Sequence, residues 1–551
     1  MQKISGLLAI MVLGYSANLA CAAEDPPWQA FDESTDLARL AQHPNEDMHF
    51  RLLQSKVVNK NQLWLAFNDV LENFSAQRYA SLAPLIVEKS VVELQDAIAQ
   101  SLFSYEELAT FYIYRLREVE SDPERYLNAV ISLLPDALEQ ARAADATRLQ
   151  GREISRESLF GMPVLLKDNI GASGVATTAG ALALQNNLSA DAFITSQLKA
   201  AGAVILGKAN LSEWAYFFCQ SCPSGYSALG GQTLNPYGRF DFGTGGSSSG
   251  SGVAVAANLA VVTVGSETSG SILSPASSNS AVGLKPTTGS LSRSGVVPIS
   301  STLDTAGPIT RTVSDAALLF NAMAGFDQRD TAMPMISDGM QLQLRDVPLM
   351  GKRLGVLTSY TGNALYAESL SLFSANDAEL VDVTLSDFDS NGFGELLGGD
   401  MQRDLASYLE QWASAEVSVS GIAEVQEFNN EDPDIRVPYG QALVDMMAEL
   451  ELSDEELAEL RERLQGGARQ VLDEAFIEQN LDVLLSINNY SAGIAALANY
   501  PALTIPMGYT EEGRPMGLTL IAPSFQEQAL IDIGLQFERL SAARRLPADY
   551  Q

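Results

Sequence analysis

Histidine is nearly absent from this chain of 551 residues, and its two copies, His43 and His49, lie close together near the N-terminus. Both are far along the chain from two segments rich in glycine and serine, residues 243–252 and 265–271. A serine hydroxyl is a weak nucleophile and needs a neighbouring base. If these serines carry nucleophilic chemistry, the sequence therefore indicates a base other than histidine.

Basic residues are also scarce. The chain has 34 Lys and Arg against 68 Asp and Glu, which gives a formal net charge of −34. Such a field repels phosphate backbones, so we predict no nucleic-acid partner. The hydrophobic content of 46% with 19% charged residues is ordinary for a globular protein with a solvated acidic surface.

Long apolar runs are missing, so we predict no membrane span. The run Leu7–Leu13 is too short to cross a bilayer, but it follows Lys3 and precedes the small residues Ala20–Ala23. This order predicts a signal peptide over residues 1–23 and a periplasmic or secreted protein.

The position of Cys21 leaves two ways of processing this segment. Lipid attachment at Cys21 is one, but Asn18 occupies a position where a lipoprotein signal normally has an aliphatic residue. Simple cleavage near Ala22 or Ala23 is the interpretation we favour.

Only two cysteines follow the signal segment, Cys219 and Cys222. The surrounding residues are typical of a loop, which argues against a thioredoxin-like redox pair, and two thiols without a nearby histidine argue against zinc. A local disulfide, plausible in an exported protein, and two free thiols both stay open.

The N-terminal part of the mature chain has a helical pattern. Residues 24–87 predict a helical extension, and the capping boxes Ser90-x-x-Glu93 and Ser104-x-x-Glu107 then open two further helices. Residues 88–551 are predicted to form one domain.

From about residue 161, short apolar strands alternate with helical segments. This alternation predicts an α/β fold with a large, mainly parallel sheet that is covered by helices on both faces. We predict strands at Pro163–Leu166, Val204–Leu206, Val261–Val264, Leu354–Leu357, Ala502–Ile505 and Met516–Ile521. The acidic region from about 375 to 480 is predicted to be mostly helical, with a capping box at Ser453.

The best candidate for a non-histidine base is Lys167, which ends an apolar strand. Neutrality near pH 7 requires its pKa to fall by about three units, or roughly 4 kcal/mol, and burial acts in that direction. The adjacent Asp168 would oppose the fall if it pointed inward, so we expect it to turn towards backbone donors. The nucleophile candidate is Ser271, in a glycine turn after a predicted strand, where backbone amides can hold an oxyanion.

With these motifs in this order, the sequence resembles the amidase signature family, and within it the peptide-amidase-like branch. The resemblance begins near residue 88 and implies the family's fold, a large mixed sheet. It is carried by Gly161–Asn169 (GMPVLLKDN), Gly207–Trp214 (GKANLSEW), Gly230–Pro236 (GGQTLNP), Gly243–Gly252 (GTGGSSSGSG), Gly265–Ser271 (GSETSGS) and Gly283–Pro286 (GLKP).

The resemblance implies a catalytic triad. Lys167 matches the family's lysine base, and Ser247 matches its bridging serine, which follows a cis peptide bond, here Gly246–Ser247. Ser271 matches the nucleophile. The oxyanion would be held by the backbone amides of Thr268, Ser269, Gly270 and Ser271.

The acyl pocket is less well defined by the sequence. The resemblance places it near Gln232 and near the loop of Trp214, Ala215 and Tyr216. Many relatives carry arginine where this chain has Leu273, and glycine or aspartate where it has Ser269, so the substrate preference is expected to differ. Leu273 in place of a cation predicts a less polar pocket. Glu267 either orients the turn or is a local hydrogen-bond acceptor.

The sequence thus predicts an exported serine amidase that hydrolyses small linear amides, with C-terminal peptide amides among the candidates. No cofactor and no metal are predicted. Two alternatives stay open: an amidotransferase A-type subunit acting on aminoacyl-tRNA, and a catalytically inactive family member that serves as a binding module. A phosphate loop is excluded, because the glycine-serine run lacks the Gly-Lys-Ser/Thr ending.

Overall fold

The computed structural model describes residues 28–337 and 339–551, so the predicted signal peptide with Cys21 lies outside the described residues. Strands β1–β13 are numbered in chain order. They are Val130–Leu133, Pro163–Lys167, Val204–Ala209, Tyr226–Ser227, Gly231–Gln232, Val262–Glu267, Val282–Lys285, Thr305–Thr310, Arg353–Leu357, Glu379–Val383, Val483–Ile487, Ala502–Tyr509 and Pro515–Ile521.

Eleven of these strands form one sheet, in the order β1-β3-β2-β6-β8-β7-β12-β13-β11-β9-β10. β2 is parallel to β3 and β6, and β9 is parallel to β10 and β11, whereas the other neighbours are antiparallel. Parallel strands need a long crossover, whereas the short turn between β12 and β13 permits only antiparallel pairing. The predicted large mixed sheet is confirmed, with its parallel pairs in two blocks.

Helices α1–α19 surround this sheet. They are Ser34–Leu40, Asn61–Trp64, Asn68–Asn73, Ala76–Ile86, Val91–Ala99, Tyr105–Ser121, Ala137–Leu149, Phe193–Ala200, Ser249–Ala256, Leu273–Ser278, Val313–Met323, Ala364–Ala375, Phe393–Gln411, Ile422–Asn430, Pro433–Arg436, Ala442–Glu449, Asp454–Gln479, Ala492–Leu497 and Glu527–Ser541. Ser90, Ser104 and Ser453 cap α5, α6 and α17 through complete capping boxes, as predicted. None of the described helices is long and apolar enough to cross a membrane.

The six predicted strands are all present, as β2, β3, β6, β9, β12 and β13. Every residue of β2, β3 and β6 is buried, which explains why β2 and the first half of β3 are continuous apolar runs rather than alternating ones. β2 ends at Lys167 and β6 ends at Glu267, so the carboxyl ends of two adjacent parallel strands carry the predicted site.

Residues 28–87, the N-terminal segment, contain α1–α4 and share one buried apolar cluster with the rest of the chain. The backbone carbonyl of Leu53 accepts hydrogen bonds from Gln232 N at 2.9 Å and from Asn128 Nδ2 at 2.8 Å. The Ser55 hydroxyl donates to the carbonyl oxygen of Ala228 at 2.7 Å. The segment is therefore held against the β4–β5 hairpin by specific polar contacts as well as by packing.

Candidate active site

Lys167 lies fully buried at the end of β2. Its Nζ donates to Ser247 Oγ at 2.7 Å and to both the Oγ and the carbonyl oxygen of Ser266, at 2.9 and 3.0 Å. Burial lowers the pKa of Lys167 to about 7, although the negative charges of Asp304 and Glu267 act in the opposite direction. A substantial fraction of this lysine is thus neutral near pH 7 and able to accept a proton.

The neighbouring carboxylate turns away from Lys167, as predicted. Asp168 Oδ2 accepts hydrogen bonds from the backbone amides of Thr178 at 3.3 Å and Gly180 at 3.4 Å. Its Oδ1 also forms an ion pair at 3.2 Å with a second fully buried lysine, Lys208. No local sequence pattern indicates this ion pair, which balances the Asp168 charge inside the core.

The glycine-serine run is built into the core rather than being a linker. The peptide bond Gly246–Ser247 is cis, and Ser247 is fully buried. The chain then enters α9, whose Gly250 N donates to Asn210 O at 2.9 Å. Gly250 allows the start of this helix to contact the backbone that follows β3, so the run positions Ser247 beside Lys167.

Ser271 lies in the turn between β6 and α10, which we name the oxyanion loop and define as residues 268–271. Gly270 has a φ of +89°, which favours glycine, and Glu267 Oε2 accepts from the amides of Ile272 at 2.6 Å and Leu273 at 3.0 Å. Glu267 therefore closes this turn. Within the part of the chain that the structure describes, no protein acceptor meets the four amides of the oxyanion loop. They can donate to a substrate oxygen.

A cavity of about 200 Å³ adjoins these residues. Ser266 and Thr268 line it on the catalytic side, and the carboxylate of Asp304 lines it beside them. Tyr408 and Trp412 contribute aromatic surface to its lining. The cavity therefore offers both polar and aromatic contacts to a bound molecule.

A second cavity, of about 450 Å³, adjoins the glycine-serine run and α10, the helix that follows Ser271. Gly245 lines it just before the cis bond, and Ser274 lines it shortly after Ser271. The N-terminal segment supplies part of its wall, through His43, Asn45, Asp47 and Phe50. The N-terminal segment is therefore close in space to the two glycine- and serine-rich segments, residues 243–252 and 265–271, which we call the catalytic loops.

The five predicted pocket residues are divided by the structure. Ala215 lines the first cavity and Tyr216 the second. Trp214, Gln232 and Leu273 are buried and line neither of these two cavities. Their assignment to the acyl pocket stays a prediction.

The side chain of Gln232 has a visible local task. Its Nε2 donates to the carbonyl oxygens of Ser224 at 2.8 Å and Thr233 at 3.0 Å. Ser224 in turn lines the second cavity. Gln232 thereby fixes one wall of that cavity from behind.

Cys219 and Cys222 form a disulfide in the loop after Tyr216, with their Cα atoms 5.7 Å apart. Both residues are buried in the apolar cluster that also contains Trp214 and Leu273. The disulfide is therefore part of a packed apolar cluster rather than of an exposed loop.

The sequence reasoning missed three polar residues around the lysine. Ser266 contacts Lys167 directly, Asn169 Nδ2 donates to Ser266 Oγ at 3.0 Å, and Asp304 acts on the charge of Lys167. Ser266 and Asn169 lie inside two of the quoted motifs, so motif membership was an available signal. Asp304 had no such signal, because only the pairing of β6 with β8 brings it to the site.

Comparison with known proteins shows the family to which the chain belongs. Residues 109–392 match the family described as Amidase. A protein named probable amidase from Arabidopsis thaliana is 36% identical over 482 residues, which cover 84% of this chain and 92% of that protein.

Two solved structures are similar over most of the chain. A Bacillus anthracis amidase family protein superimposes with a TM-score of 0.85 at 35% identity, covering 90% of this chain and 99% of that one. The native peptide amidase from Stenotrophomonas maltophilia gives a TM-score of 0.77 at 37% identity, covering 84% and 98%. The chain is an amide-hydrolysing enzyme that belongs to the amidase signature family.

Proposed function

We propose that the enzyme hydrolyses amides through an acyl-enzyme on Ser271, with Lys167 as the base and Ser247 as the proton bridge. The observation that carries this proposal is the 2.7 Å contact between Lys167 Nζ and Ser247 Oγ in a fully buried setting. A buried, neutral amine in contact with a hydroxyl is the arrangement that activates a serine without histidine.

The proposed reaction has two halves. Lys167 takes the proton of Ser247, which takes the proton of Ser271 as its Oγ bonds to the amide carbonyl carbon. The resulting oxyanion is held by the amides of the oxyanion loop. The C–N bond then breaks, the departing amine receives the proton, and water attacks the ester to release the acid and restore Ser271.

For the substrate we propose short peptides with an amidated C-terminus. Support comes from the similarity to a protein named peptide amidase and from two cavities of about 200 and 450 Å³ beside the catalytic loops, large enough for more than an acetamide-sized group.

Two measurements test this proposal separately. A fluorophosphonate probe should label the wild type, and peptide mapping should find the label on Ser271. A panel of aliphatic, aryl and peptide amides should then give the highest kcat/KM for the peptide amides. Absence of labelling in the folded enzyme would favour a binding module, and a strict requirement for a partner subunit and glutamine would favour an amidotransferase.

Activity should depend on pH through Lys167. Because its pKa lies near about 7, the base is protonated below that value and neutral above it. We expect kcat/KM to fall about tenfold for each pH unit below 7 and to level off above it. A pH profile of kcat/KM checks this, and a plateau that is already reached at pH 5 would contradict the lysine base.

We also propose that the enzyme is exported. Support comes from the charged, apolar and small-residue order of residues 1–23 and from the disulfide between Cys219 and Cys222, which suits an oxidising compartment. Fractionation of the native host should place the activity in the periplasm or medium, and activity confined to the cytosol would refute export.

A further inference from the structure

Asp304 is a carboxylate of the active-site cavity that the proposed reaction does not use. It lies immediately before β8, and β8 pairs antiparallel with β6 so that Thr305 is opposite Glu267. This register brings Asp304 beside Thr268, the first residue of the oxyanion loop. Its position near the catalytic residues is thus fixed by the sheet itself.

Asp304 joins two loops with its two carboxylate oxygens. Oδ1 accepts from the Thr268 hydroxyl at 2.5 Å. Oδ2 accepts from the backbone amides of Ile299 at 2.8 Å and Ser300 at 2.9 Å. All three groups donate to Asp304, and the two oxygens of a carboxylate accept from all of them at once.

We propose that Asp304 is a positioning residue for amide hydrolysis, which holds the oxyanion loop against the Ile299–Ser300 turn and adds a negative charge to the surroundings of Lys167. The Thr268 side chain is buried, so the link constrains the residue from which the loop departs. Small errors in the position of oxyanion donors cost large factors in rate. This inference rests on the proposed function.

Other charged groups surround Asp304 and Lys167, and they remain in place when Asp304 is replaced. Glu267, at the end of β6, is the second carboxylate that raises the pKa of Lys167. Arg293 and Asp330, which both line the cavity, form an ion pair at 2.6 Å, and Arg293 also opposes the rise in the Asp304 pKa. Further charges on the cavity wall are Arg329 and Asp404, and Asp168 is paired with Lys208.

The pKa of Asp304 lies close to the pKa of Lys167. Burial raises the pKa of Asp304 to about 6, while its three hydrogen bonds lower it. Above that pH the carboxylate is charged and favours the protonated form of Lys167. Removing the charge should therefore lower the pKa of the lysine and extend activity to lower pH.

The test uses two variants that separate the link from the charge. Asp304→Asn removes the charge and replaces one of the two acceptor oxygens with an NH₂ donor. We expect its kcat to fall about tenfold or more. We also expect the acid limb of its pH profile, the range in which activity falls as pH decreases, to move down by about one pH unit. Thr268→Val cuts the link but keeps the charge, so kcat should fall about as far while the limb does not move down. Thr268→Ser restores the hydroxyl and should restore kcat.

Asp404→Asn is the matched control. Asp404 is another carboxylate of the same cavity, and its Oδ2 accepts from Ser301 N at 2.5 Å rather than from the oxyanion loop. We expect this variant to keep the acid limb of the wild type, whatever its KM.

The measurements are amide turnover and the rate of fluorophosphonate labelling of the full chain across pH, with circular dichroism to verify folding. Labelling does not depend on the substrate class, so it separates the inference from the proposed function. Wild-type kcat and an unmoved acid limb in a folded Asp304→Asn variant, or wild-type kcat in Thr268→Val, would overturn the role of Asp304. A folded wild type that is not labelled would instead overturn the proposed nucleophile.

Discussion

Ser271→Ala should lower kcat about a thousandfold or more while the protein stays folded. The substitution removes only the hydroxyl that forms the acyl-enzyme, and the oxyanion amides are retained.

Lys167→Ala should cost a similar factor, because no other base contacts Ser247 in the described residues. Ser247→Ala should cost about a hundredfold or more through loss of the proton bridge. For all three variants, turnover of an amide measures the loss of activity, and unfolding curves show whether the protein stays folded.

Ser269→Ala is the matched control for these variants. Ser269 contributes its backbone amide to the oxyanion loop, and alanine keeps that amide. We expect it to retain a large part of the wild-type rate. Near wild-type turnover by Ser271→Ala, or a loss in Ser269→Ala as large as in Ser271→Ala, would contradict the assigned nucleophile.

Gly250→Ala should prevent the chain from reaching its native packing. A Cβ at this buried position would lie 2.5 Å from both the backbone nitrogen and the backbone oxygen of Asn210, and it would also meet the Ala129 carbonyl oxygen. Backbone atoms cannot move aside as a flexible side chain can. We expect a loss of stability of about 3 kcal/mol or more, seen as a lower melting temperature or loss of soluble protein.

Gly243→Ala is the control from the same run. An added Cβ there would meet nothing within 4 Å, and the residue does not have a positive φ. Its melting temperature should stay within a few degrees of the wild type, because exposed substitutions of this kind change stability by about 0.5 kcal/mol or less. Equal tolerance of both substitutions would mean that the run is not packed as described.

The strands and helix caps could be predicted because their causes are local. Apolar runs define β2, β3 and β6, and a serine followed three residues later by glutamate defines α5, α6 and α17. The sequence also located Lys167 at a strand end and Ser271 in a tight turn, where the structure has them.

The remaining parts of the site depend on long-range pairing. β7 and β8 contain glycine, lysine, threonine or proline, which hide their strand character, and only their pairing reveals it. Asp304 reaches Thr268 because β8 also pairs with β6. Lys208 finds Asp168 because β2 and β3 are adjacent and parallel. Contacts between segments far apart in sequence leave no local pattern.

The contacts of the N-terminal segment also restrict the order in which the chain can fold. Leu53 and Ser55 need partners at Asn128, Ala228 and Gln232, and Arg51 N donates to the Tyr439 hydroxyl at 2.7 Å. Synthesis from the N-terminus delivers this segment well before its partners. The segment is therefore among the last parts of the enzyme to be completed, and an unfinished chain exposes it to proteases and chaperones.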